Sequence, residues 1–298
     1  METNMNIKTQ PVFSPATPPV KSRRAEFMER FKASTSAMIG LTMLVILVFC
    51  AVLAPVLAPY DPYDSNMPNA LKPPSASHIM GTDELGRDIL SRILYGARIS
   101  LIVGVEAVTL ALACGVILGA IAGFYGGKTD TAIMGVMDIM LSFPSILLAI
   151  AFMTVLGRGV EKAVIAIGIV SIPQYARIVR GSVLSVKENV YVMAARAIGN
   201  SDRRLIFAHI LPNVLAPIIV RATIGVSVAI LEAAALGFLG LGVQPPTAEW
   251  GTMLGSGRQT IFNAPHIVTF PGIAITLTVM AFNLLGDGLR DVLDPRLK

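Results

Sequence analysis

Three ionisable side chains, Asp138, Arg221 and Glu232, fall inside apolar runs long enough to cross a bilayer. A charge in that setting is expensive and marks a pathway or a contact. Asp138 lies about two turns from one end of its run, within reach of water or a partner helix. Arg221 and Glu232 are eleven residues apart and share nearly one face of a helix. That face must turn toward the bundle interior, a partner subunit or a wet cavity. Covalent chemistry has no comparable support, for neither H-E-x-x-H nor G-x-S-x-G occurs. His78, His209 and His266 are scattered, Cys50 and Cys114 stand alone in apolar runs, and none has metal-ligand spacing. Residues 122–129 fit a loose phosphate-loop pattern, but such a loop follows a strand in an α/β domain that no stretch here can encode. No catalytic residue, metal site or cofactor is expected.

A second concentration of reactive groups is residues 191–213, where Arg196, Asp202, Arg203 and Arg204 form an island of charge in a chain of mostly apolar runs. Val190, Met193, Ala194, Ala197 and Ile198 recur at three- and four-residue spacing, which predicts a helix ending near Ile198 with one small apolar stripe and Arg196 off it. Gly199 is placed to take positive φ, Ser201 can cap a following helix ahead of Asp202, and Pro212 marks where that helix yields to the next apolar run. The pattern fits either an amphipathic loop or a docking element.

The elements that carry these groups are membrane helices. At 54% hydrophobic and 14% charged, the chain lies far from a soluble domain, where about 25% of residues are charged. The sequence pI near 9.4 does not point to nucleic acid, because the basic residues gather at the edges of apolar runs and not among aromatics. An all-α, polytopic fold with six transmembrane helices follows, with spans at about 37–58, 99–124, 131–156, 163–180, 214–241 and 267–285. Placing both ends in the cytoplasm leaves seven basic residues outside: Lys72, Arg87, Arg92, Arg98, Arg158, Lys162 and Arg258. Apart from Arg221, the other sixteen of the 24 are then inside, the bias that sets orientation.

The expected organisation is a cytoplasmic tail over 1–36 with a short interfacial helix, a first span, an external segment over 59–98, and a core over 99–298 that includes a loop at 187–213. In the external segment Thr82 or Asp83 can cap a short helix carrying Ile89, Leu90, Ile93 and Leu94. Gly115, Gly119, Gly123 and Gly127 repeat at intervals of four, a pattern for close helix packing. Trp250, after Pro245-Pro246, is placed to anchor at the outer interface, and Ser65 and Thr252 are expected outside with Ser201 inside.

Ala194-Ala195, three residues, Gly199, nine residues, then His209-x-Leu211-Pro212 resembles the E-A-A loop of importer-type ABC permeases, with Met193 where that family has an acidic residue. The G-T-D and G-R-D pieces of residues 81–88, the G-F-L-G-L-G block at 237–242, F-P-G at 270–272 and N-L-L-G-D-G-L-R-D at 283–291 resemble the dipeptide-uptake permease subunits. The resemblance covers nearly the whole chain from about Ala37. It implies a type I ABC importer permease of the bacterial plasma membrane that moves short peptides by alternating access. Met193, Ala194, Ala195, Gly199, Arg203, Arg204, His209, Leu211 and Pro212 would form the coupling loop. The partners implied are two ATPase chains, a second, non-identical permease and an external peptide-binding protein. Oligopeptide, glutathione and nickel importers share that core. The intramembrane charges Asp138, Arg221 and Glu232 keep an ion-driven carrier as the other reading.

Overall fold

A computed structural model describes residues 22–293. It opens with α1 (Arg23–Ala33), whose first turn is capped by the Ser22 hydroxyl accepting from Ala25 N at 3.3 Å. Ser34 ends α1 and begins α2 (Thr35–Val52), a role a small hydroxyl residue fills at an extended backbone position. The short α3 (Ala54–Leu57) follows, and then an irregular segment with one turn of tight helix at Met67–Asn69.

The longest element is α4 (Ile89–Tyr125), 37 residues without a break. Its cap is Asp88 and not Thr82 or Asp83, because the Asp88 carboxylate accepts from Ser91 N and Oγ, both at 2.8 Å. Asp83 is committed elsewhere. It accepts from the amides of Leu85 and Arg87 and from Arg87 Nε at 2.7 Å, with Arg92 Nε 3.5 Å away. Thr82, Asp83, Arg87, Asp88 and Arg92 are all buried, and removing one partner from such a cluster costs about 3–5 kcal/mol. His78 Nδ1 lies 2.9 Å from Asp88, and His266 Nε2 lies 3.2 Å from Thr82 O. This scaffold therefore fixes where α4 starts.

The remaining elements are α5 (Gly127–Leu141), α6 (Ser145–Leu156), α7 (Val160–Lys187), α8 (Val190–Ala197), α9 (Asp202–Arg204), α10 (Leu215–Phe238), α11 (Trp250–Gly257) and α12 (His266–Leu293). Among the described residues five helices, α2, α4, α7, α10 and α12, are long and apolar enough to cross a membrane. The stretch expected as a single third span is broken: α5 and α6 meet at 93°. Pro144 explains the break, since it has no N–H and disfavours helical backbone at Phe143.

Close packing runs along one seam. A Cβ on Gly115, Gly119 or Gly123 would collide with the backbone of Ala176 or Arg180 and the side chains of Tyr175, Val179 or Val183, so α4 and α7 touch main chain to main chain. Gly127 has open space around it and starts α5 at φ +52° instead. On the other side of the bundle, α2 lies against α12, where Gly40 approaches the backbone of Leu285 and Gly288 approaches Ala37. Trp250 is not an interfacial anchor. It is 1% exposed, packs beside Gly96, and donates Nε1–H to Ile93 O at 3.1 Å, so its polar edge is satisfied inside the fold.

Candidate functional site

The loop over 187–213 hangs from the end of α7, and three basic side chains of α7 set its position. Arg180 grips Asp130 in the first turn of α5 through two bonds of 2.5 Å, Arg177 reaches Asp138 at 2.6 Å, and Lys187 Nζ donates to Gly123 O at 3.0 Å. Asp138 and Arg177 are largely exposed, whereas Asp130 is mostly covered. Asp138 is thus paired with α7 of the same chain while staying largely open to its surroundings.

Within α8 the side chains sort into two faces. Val192 and Ala195 turn inward onto a core that contains Phe124, Val179, Val183, Leu205, Ile206 and Ile210. Arg196 lies over the Phe124 ring at 5.3 Å, a contact worth about 0.5–1 kcal/mol at an exposed site. The stripe read from the sequence faces outward: Val190 is 76% exposed, Met193 51% and Ile198 82%, with Ala194 and Ala197 exposed between them. These side chains form a contiguous apolar face that the described residues leave uncovered.

Gly199 closes the helix at φ +86°. Its N–H donates to Arg196 O at 3.0 Å and Asn200 N–H to Ala195 O at 3.3 Å, the paired bonds of a Schellman cap, with Asn200 Nδ2 adding a third to Ala195 O at 2.8 Å. Ser201 stands at the N-cap position of α9 with extended backbone, but its hydroxyl makes no capping bond. The chain continues as a wide turn over Leu205–Ile210 and a tight one over Leu211–Asn213, which contains Pro212. Leu205, Ile206 and Ile210 point inward, while Phe207 is 68% exposed and Arg203 and Arg204 are exposed beside it. His209 is half-buried, and its carbonyl accepts from Tyr191 Oη at 3.4 Å and Asn213 Nδ2 at 2.7 Å. Met193, Ala194, Gly199, Arg203, Arg204 and Pro212 thus lie on the surface, Ala195 in the core, and Leu211 between.

Sequence reasoning passed over Val192, Phe124 and Phe207. Val192 and Ala195 also share helical spacing, but period alone does not say which of two apolar faces is inward.

The intramembrane charges do not form one site. Arg221 bonds Gln174 Oε1 across the α7–α10 contact, beside a Tyr175 hydroxyl that is buried without a partner among the described residues and faces Gly225. Glu232 is half-buried near Ser145 at the start of α6, and one of its oxygens has no partner among the described residues. Eleven residues of helix put about 16 Å between the two. Outside the spans, Glu249 caps α11: its carboxylate accepts from Gly251 N, Thr252 N and Thr252 Oγ1 at 2.8–2.9 Å and from Ser100 Oγ at 3.4 Å. Burial pushes this carboxyl up from its ordinary value against those donors. Among the described residues no cluster of three or more His, Cys, Asp or Glu is placed to hold a metal.

Residues 115–298 match the family described as binding-protein-dependent transport system inner membrane components. Residues 22–74 match the N-terminal transmembrane domain of oligopeptide transport permease C. The dipeptide transport system permease protein of Alkalihalophilus pseudofirmus is 52% identical over 92% of this chain and 90% of its own length. The di/tripeptide transport system permease protein of Pseudomonas aeruginosa is 50% identical over 92% of each chain. The glutathione transport system permease protein of Escherichia coli O157:H7 is 46% identical over 92% of this chain and 90% of its own. Among solved structures, the MetNI methionine ABC transporter matches with a TM-score of 0.58 at 18% identity, over 69% of this chain and 98% of that one. That likeness is one of fold.

Proposed function

Because the chain belongs to the family of binding-protein-dependent transport system inner membrane components, we propose that it is the permease subunit of an ABC importer for dipeptides and tripeptides. The observation that carries the mechanism is the outward apolar face of α8, closed by the Gly199 cap and held by Arg180, Lys187 and Arg196. It is a rigid, uncovered element of the kind that seats in a partner's groove.

In this reading the loop over 187–213 lies in the cytoplasm with both chain ends and passes motion from two separate ATPase chains to the spans. A second, non-identical permease completes the pathway and an external binding protein delivers the peptide. With Met193 where the family has an acidic residue, the seat is apolar at its centre, and Arg203 and Arg204 supply the rim. Arg221 and Glu232, each with a buried atom lacking a partner among the described residues, are the path or subunit contacts on α10.

The substrate class rests on the relatives at 52% and 50% identity, named for dipeptide and di/tripeptide transport. Glutathione, in the name of the 46% relative, is itself a tripeptide, so the class embraces it. The test is uptake by proteoliposomes containing both permeases, the ATPases and the binding protein. Labelled dipeptide should accumulate with ATP alone, and Ile198→Glu should lower ATPase co-purification by about tenfold or more, as a central interface anchor does. Accumulation driven by an ion gradient without ATP would replace this reading with an ion-coupled carrier.

A further inference from the structure

Glu106 lies on the exposed face of α4 and makes no hydrogen bond or ion pair among the described residues. It is the eighteenth residue of a 37-residue helix, about 25 Å of helix from either end, and so falls at bilayer depth. A carboxylate there is not left to face hydrocarbon. Arg98 lies two turns away on the same stripe, at the other end of a groove of about 480 Å³ between α2 and α4. Val48, Val52, Ile102 and Val105 line the rest, so the wall is apolar apart from those two charges. A route for zwitterionic peptides has no use for such a wall, whereas the knobs of a helix fit it.

We propose that this face of α4 and its groove against α2 receive a membrane-spanning helix of a second, non-identical permease chain that presents a hydrogen-bond donor or cation to Glu106. The inference rests on the reading of the chain as one of a permease pair. Charge geometry disfavours pairing of this face with itself. A twofold axis along the membrane normal preserves depth, so a second copy that met this face with its own same face would bring Glu106 level with Glu106 and Arg98 level with Arg98. Those like charges reject self-pairing across this face. The complementary helix carries an acceptor at the level of Arg98 and a donor about 12 Å deeper.

A photo-crosslinking residue at Val105, which is 46% exposed, tests this in membranes expressing the whole importer, with a second probe at Met193 as control. Val105 is expected to link to a polytopic chain identified by peptide sequencing as a different permease. Glu106→Leu should reduce that product about threefold or more, the scale of an interhelical hydrogen bond in lipid, with Glu106→Gln retaining more of it. Products containing only lipid, products containing a second copy of this chain, or a yield indifferent to Glu106→Leu would each overturn the proposal. If Met193 still links to an ATPase while Val105 fails, only the placement of the partner is lost. If Met193 also fails and uptake does not need ATP, the importer reading itself falls. Should Glu106→Leu fail to insert, Glu106→Gln with Arg98→Gln carries the same comparison.

Discussion

Arg180 and Asp130 meet as a fork on a fork: Nε to Oδ1 and Nη2 to Oδ2 are both 2.5 Å, across fifty residues of sequence. The pair ties the start of α5 to the last third of α7, one turn past the more exposed Arg177–Asp138 contact. A double-mutant cycle with Arg180→Gln and Asp130→Asn is expected to show a coupling of about 1 kcal/mol, at the upper end for partly exposed pairs. The Arg177–Asp138 cycle should give less than half of that. Thermal unfolding in detergent measures both, and equal couplings would mean that bidentate geometry adds nothing here.

Gly199 is expected to tolerate little else. No atom lies within 4 Å of a Cβ built there, so the cost of a side chain is purely the +86° φ, about 1–2 kcal/mol for an ordinary L residue. Gly199→Val should lower ATPase co-purification and uptake together while membrane insertion stays normal, and Gly199→Asn, which accepts that conformation more readily, should be milder. Normal ATP-driven uptake by inserted Gly199→Val protein would remove the loop from the coupling role.

Topology is open to labelling. In a background lacking Cys50 and Cys114, Ser65→Cys and Gln259→Cys should react with an impermeant reagent from outside and Ser201→Cys only from inside. Thr252, which the sequence alone places in an outer loop, is a poor probe because it is buried with its hydroxyl bonded to Val243 O and Glu249. Reaction of Ser201→Cys from outside would invert the layout.

Glu249 should leave a signature in pH. A carboxyl raised by burial holds its proton more tightly folded than unfolded. Its contribution to stability is therefore fully present below the ordinary value of 4.5 and lost as pH rises through the raised one. Thermal unfolding of the detergent-solubilised chain should show that slope on the alkaline side of 4.5, and Glu249→Gln should flatten it while lowering stability overall, because an amide nitrogen then faces amide donors. An unchanged slope in the variant would assign it to another group.

The sequence made some of this legible and hid the rest for physical reasons. Gly199 and Pro212 act through their own backbone, and the glycines at 115, 119 and 123 act through the size of a missing side chain, so their roles can be read locally. The direction of the α8 stripe could not be, since Val190 and Val192 are equally apolar and only the packing of Phe124 and Leu205 distinguishes them. Trp250 misleads in the same way: an aromatic after two prolines suits an interface, and its burial depends on Gly96, 154 positions earlier. The corner at Pro144 was visible as a proline but not as a 93° turn. Glu106 stands in the second apolar run as plainly as Asp138 in the third, and only the fold shows it without a partner among the described residues.

The glycine seam fuses α4 and α7 along much of their length, with Lys187 fastening the far end to Gly123. The 37 residues of α4 make the fused pair about 55 Å long, with the Asp83–Arg87–Arg92 cluster at one end and α8 leading off the other. A rod of that length pivoting at its middle by about 10° swings its two tips roughly 5 Å in opposite senses. Leverage of this kind would turn a modest push on one side of a membrane into an opposite displacement on the other.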